Sequence, residues 1–132
     1  MITISKKIEY SVIILKYLAL KQGERISLAR ACRILKLPYR FMSQVMVSLK
    51  EEGIVDSREG KKGGYSLVKG WENRSLYDLV EALGENKGMV ECLAHKGECS
   101  REGKCQIKGV WKSLEEKMLS NLKEIRLVEV TK

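Results

Sequence analysis

Cys92, Cys99 and Cys105 place three thiols within 14 positions, separated by six and then five residues. Thiols gathered this closely can pair as disulfides, ligate zinc, hold an iron–sulfur cluster or act as a metal-free redox set. Disulfides fit poorly, because the set is odd and the expected compartment is reducing. Structural zinc needs a fourth ligand, and His95, the chain's one histidine, lies three residues after Cys92. Zinc sites, however, usually draw on cysteine pairs about two to four residues apart, and such pairs are missing here. A cluster tolerates wider spacing, because its irons sit further apart than the ligands of a single zinc. Spacing favours the cluster and leaves the fourth ligand open: His95, a carboxylate or an exogenous molecule. Cys32 stands apart, on an apolar helix face, and reads as a small buried hydrophobe.

A second chemistry lies in the charge. The 132 residues hold 25 Lys and Arg against 17 Asp and Glu, a net +8. Residues 1–50 carry ten of the bases and only Glu9 and Glu24 of the acids; the remaining fifteen bases and fifteen acids cancel. The whole excess therefore lies in the first 50 residues, which points to a polyanionic partner for that part.

The elements that must position these groups are mostly helical. Residues 5–21 read as a helix with two apolar stripes: Ile8, Val12, Leu15 and Ala19, then Ile13, Tyr17 and Leu20. Two apolar faces imply a core on one side and a partner, such as a second subunit, on the other. Ser27 is an N-cap for a helix over about 28–36, with Leu28, Ala31, Cys32 and Leu35 inward. After a break at Lys36-Leu37-Pro38, with Pro38 fitting its first turn, a third helix runs to about Glu52 and stops at Gly53, with Met42, Val45, Met46 and Leu49 inward. Arg40, Ser43, Gln44 and Val47 fall on its opposite face. Two short helices joined by a tight turn, the second with a small polar outer face, form a helix-turn-helix.

Ile54–Arg58 and Tyr65–Val68 can pair as strands around the basic turn Gly60-Lys61-Lys62-Gly63-Gly64. A basic hairpin in this place is the wing of a winged helix-turn-helix, and Lys61 and Lys62 at its tip suit phosphate contacts. Ser75 and Asp78 open a fourth helix, about 76–84, in capping-box spacing. The glycine-rich stretch 84–106 is a loop carrying the three cysteines. Residues 107–125 form a long amphipathic helix with Ile107, Trp111, Leu114, Met118, Leu122 and Ile125 in one stripe, a natural dimer seam.

The expected fold is thus mainly α with a small β-hairpin wing. It divides into a winged helix-turn-helix DNA-binding domain over 1–84, a cysteine-bearing loop over 85–106, and a dimerisation helix with C-terminal segment over 107–132. No apolar run approaches the roughly 20 residues that span a bilayer, and no secretion-signal pattern precedes the first helix, so a cytoplasmic protein is expected. An enzyme is disfavoured by the single histidine and by the lack of a Cys-x-x-Cys pair, a phosphate loop or a Ser/His/Asp set.

Over nearly its whole length the chain resembles the Rrf2 family of winged-helix regulators, the IscR, NsrR and RirA type. The landmarks are Tyr10, Gln44, the run Leu49 to Val55 (LKEEGIV), Gly63-Gly64-Tyr65 in the wing, the three cysteines, and Trp111 in the long helix. The resemblance implies a homodimeric transcription regulator that binds double-stranded DNA at a palindromic operator. It would sense iron, redox state or nitric oxide through an iron–sulfur cluster, of 2Fe–2S or 4Fe–4S type, on Cys92, Cys99 and Cys105. The alternative within the same fold is a cluster-free thiol- or zinc-based redox regulator.

Three departures bear on the site. The first cysteine gap is one residue longer than usual, which a loop absorbs cheaply. The histidine that IscR-like members carry three residues after the last cysteine is replaced by Lys108, a poor iron ligand. NsrR-like members instead use a carboxylate from the partner's first helix, and the matching position is Glu9. Its apolar neighbours imply partial burial and a cationic partner; the alternative is an ordinary surface glutamate paired with a lysine. Before the wing's first glycine the family often has arginine; here Glu59 stands there, leaving Arg58 or Lys61 to substitute.

Overall fold

The computed structural model describes residues 4–85 and 104–132. Three helices come first: α1 (Lys6–Leu20), α2 (Leu28–Leu35) and α3 (Tyr39–Glu51). A hairpin of β1 (Val55–Arg58) and β2 (Gly64–Leu67) follows, then a 3-10 turn at Trp71–Asn73 and α4 (Leu76–Ala82). After residue 103 lie α5 (Lys108–Glu124) and a short α6 (Leu127–Val130). This is the expected helical body with a two-stranded wing.

Local signals start the helices where the sequence places them. Ser27 Oγ accepts from the Arg30 N–H, capping α2. Ser75 and Asp78 exchange both bonds of a capping box at α4. Burial pushes the Asp78 carboxyl up, but the Ser75 bonds and the Arg74 cation together bring it below its ordinary value. Pro38 caps α3 without a side-chain bond, one residue outside the helix.

The core face of α1 departs from the expected stripes. Ile8, Ser11, Ile14, Leu15 and Leu18 are the buried positions, whereas Val12 and Ala19 are only partly covered. Ser11 disguises the pattern. Its hydroxyl donates to the Lys7 carbonyl at 2.6 Å, so a polar residue is buried without an unmet hydrogen bond. Opposite it, α3 buries Met42, Val45, Met46 and Leu49, and Tyr10 meets Phe41 edge-on with ring centroids 5.9 Å apart.

The end of the chain returns to this core. Leu127 is fully buried. Leu76 N–H donates to the Ile125 carbonyl and Leu127 N–H to the Arg74 carbonyl, both at 2.7 Å, around a Ser75–Arg126 bridge. The far end of α5 thus packs beside α4, with Leu122 against the core. Its near end does not: Ile107 and Val110 are exposed, and α5 buries none of its residues.

Candidate nucleic-acid interface

The turn between α2 and α3 sets the pose of the third helix. Lys36 takes a left-handed φ of 57°, Leu37 N–H closes onto the Cys32 carbonyl at 2.9 Å, and the Leu37 side chain is buried as an anchor. With four inward residues fixed, α3 has one surface left. Arg40 and Gln44 are exposed on it, and Val47 is 54% exposed between them and the helix end. Tyr39, also exposed, stands at the helix start. Ser43 is half-buried, and its hydroxyl proton is donated to the Tyr39 carbonyl at 2.9 Å. Ser43 therefore offers a neighbour only its oxygen lone pairs, which narrows its expected role to acceptor.

The first strand of the wing packs against α3. Val55 pairs with Leu67, Asp56 with Ser66, Ser57 with Tyr65 and Arg58 with Gly64. Arg58, Glu59, Lys61 and Lys62 are all exposed at and around the tip. The two glycines after the lysines have structural reasons. A Cβ on Gly63 would run into the Arg58 carbonyl oxygen. Gly64 has φ +128°, and a Cβ there would lie 2.6 Å from the Ile26 carbonyl oxygen. The backbone comes this close because Ile26 and Tyr65 form an antiparallel bridge, with N–H to O distances of 2.9 and 2.8 Å.

Two side-chain links tie the wing to the body. Arg25 donates to Asp56 Oδ2 at 2.9 Å and to the Gly64 carbonyl at 3.4 Å. The Arg25 guanidinium holds the Asp56 carboxyl below the usual carboxylate range. Lys50 Nζ, at the end of α3, donates to Ser57 Oγ at 2.6 Å. Sequence reasoning missed both links. Arg25 and Asp56 are 31 residues apart, and no local spacing relates them.

Of the residues expected to bind a metal, Cys92 and Cys99 lie outside the described residues, as does His95. Cys105 is half-buried, just ahead of α5. Glu9 does have a cationic partner, Lys6 Nζ at 3.0 Å, but both side chains are exposed in the single chain rather than partly buried. Among the described residues no three His, Cys, Asp or Glu side chains converge as a metal site. Cys105 and Glu9 are both accessible, and a soft thiolate with a harder carboxylate is a donor pair that iron accepts. Cys32 is buried, and burial pushes its thiol up, away from the reactive thiolate.

A packed helical body, a helix presenting one polar face and a basic hairpin beside it define a winged helix-turn-helix protein. The chain belongs to the Rrf2 family, described as iron-dependent transcriptional regulator, which it matches over residues 4–132. It is 29% identical over 77% of its length, and 71% of the relative's, to the HTH-type transcriptional regulator NsrR of Halalkalibacterium halodurans. Among solved structures it is similar to CymR, the global cysteine regulator of B. subtilis, at 25% identity and TM-score 0.74, covering 99% and 97% of the two chains. T. potens IscR is also similar, at 25% identity and TM-score 0.69, over 95% and 82%. The chain is thus a DNA-binding transcription regulator and not an enzyme. No helix among the described residues is long and apolar enough to cross a membrane.

Proposed function

We propose that this regulator is a cytoplasmic homodimer that binds a palindromic operator and responds to iron, redox state or nitric oxide through an iron–sulfur cluster. The observation that carries the DNA part is the outer face of α3, where Arg40 and Gln44 stand exposed on a helix that Lys50 and Ser57 join to the basic wing. A helix so placed enters the major groove. There, Arg40 suits guanine, Gln44 suits adenine, and Ser43 accepts from a base amino group. Arg58, Lys61 and Lys62 lie where a wing meets the DNA backbone. A homodimer supplies two such units, which matches a two-fold operator.

Cys92, Cys99 and Cys105 supply the soft thiolates of the sensor site, and Glu9 of the partner subunit the fourth, harder ligand. The family's description as iron-dependent supports this reading, as does the donor chemistry of Cys105 and Glu9. When bound, a cluster supplies a centre that changes with oxidant and iron supply. Glu9 exchanges a weak, exposed pairing with Lys6 for its ligand role. Reaching from α1 of one subunit to the cysteines of the other, it ties the subunits together and biases the separation of their recognition helices.

Similarity along 99% of the chain to a protein named as a cysteine regulator favours one second reading, a cluster-free thiol- or zinc-based regulator. Purification without oxygen separates the two. The cluster reading expects iron, acid-labile sulfide and visible charge-transfer absorption. Cys92→Ser, Cys99→Ser and Cys105→Ser should each strip it, and Glu9→Ala should leave it bound but spectrally altered. A colourless, zinc-containing protein would sink the cluster. A spectrum moved by His95→Ala and untouched at Glu9 would assign the fourth ligand to His95.

A further inference from the structure

A two-stranded hairpin is marginal by itself, so a wing that carries charge to DNA needs bracing from outside. Here the bracing comes largely from the segment just before α2. The Ile26–Tyr65 bridge adds an extra backbone rung beside β2. Arg25, next to it, reaches both strands at once, bonding Asp56 on β1 and the Gly64 carbonyl on β2. In the hairpin register these two points sit just below the tip, since Gly64 pairs with Arg58 and Asp56 lies two residues before it. Lys50 to Ser57 then links the same strand to α3.

Arg25 belongs to the basic first 50 residues, and the simple reading would make it one more phosphate ligand. Its surroundings argue otherwise. Its side chain is only 22% exposed, and its charge is matched by Asp56 at 2.9 Å. An arginine so covered and neutralised adds little to the field that DNA meets. What it does is hold two strands in one pose relative to α3.

We propose that Arg25, through Asp56 and the Gly64 carbonyl, is a positioning residue that fixes the wing against the recognition helix so that Lys61 and Lys62 meet phosphate. The inference rests on the assignment of the wing tip to DNA made above.

The test is a double-mutant comparison on a labelled mixed-sequence duplex of about 30 base pairs, roughly three helical turns, read by anisotropy across a salt series. Asp56→Asn makes the protein more positive, so charge alone would tighten binding. Positioning instead expects about fivefold weaker binding and a shallower salt slope. In a Lys61→Ala/Lys62→Ala background the same substitution should change affinity by less than about twofold, because the groups being positioned are gone. The exchanged pair Arg25→Asp with Asp56→Arg, which keeps the net charge, should recover most of the loss. If Asp56→Asn lowers the melting temperature appreciably, Arg25→Lys carries the same comparison while keeping the cation. Tighter binding by Asp56→Asn, or an equal loss in both backgrounds, overturns the positioning role alone. A Lys61→Ala/Lys62→Ala protein with unchanged affinity and slope overturns the wing assignment, and the role of Arg25 with it.

Discussion

Gly64 shows how one residue type can be forced by the backbone around it. Its φ of +128° lies in the region that L side chains rarely adopt, and its missing Cβ makes room for the Ile26 backbone. Gly60, three residues before Gly63, has φ +101° but open space around it. Gly64→Ala should therefore destabilise the fold by at least about 2 kcal/mol, combining strain with a backbone clash. Gly60→Ala should cost only about half as much, from conformation alone. Equal losses in chemical denaturation would contradict the close approach of Ile26 and Gly64. The Gly63-Gly64-Tyr65 motif was legible in the sequence as part of a family pattern. Its cause was not, because the backbone that meets Gly64 is that of Ile26, far earlier in the chain and joined by an isolated bridge to Tyr65.

At the scale of elements, local chemistry was easiest to read. Ser27, Ser75 and Asp78 cap helices within three residues of themselves, and the inward and outward faces of α3 follow from a 3.6-residue period. Non-local decisions were hidden. Ser11 is buried because its hydroxyl finds a carbonyl one turn back, which no apolar pattern reveals. The C-terminal Leu-Val-Glu-Val run gave no sign of its destination, yet α6 closes the core through Leu127. Leu127→Ala should cost about 2–5 kcal/mol in urea unfolding, as for other fully buried leucines. Leu20→Ala, at a position 73% exposed, should change stability by less than about 0.5 kcal/mol. If both cost the same, α6 is not docked as described. The Arg25 brace belongs to this scale too, since it joins a loop to both strands of the hairpin.

At the scale of the whole molecule, the near end of α5 has more apolar surface than the described residues cover. Val110 is 63% exposed and Leu114 39%, while Trp111 and Met118 are half-buried. If the operator is two-fold, as proposed, a second copy of the same helix is the natural cover. Leu114→Glu should leave each chain folded, because the residue is already partly in water. In a dimer seam it would bury an unpaired charge at a cost of several kcal/mol and give monomers in sedimentation. A dimer of undiminished stability would place the seam elsewhere.

The central claim is that the outer face of α3 reads base sequence, and selection of binding sites from random double-stranded DNA tests it most directly. The parent should return an inverted repeat. Gln44→Ala should return the same repeat with preference flattened at one position in each half-site, a loss of about 1–3 kcal/mol of discrimination there. Its binding to mixed-sequence DNA should be little changed, because phosphate contacts carry that affinity. A Gln44→Ala protein that selects the parental motif unaltered at every position would contradict the assignment of this face to the major groove.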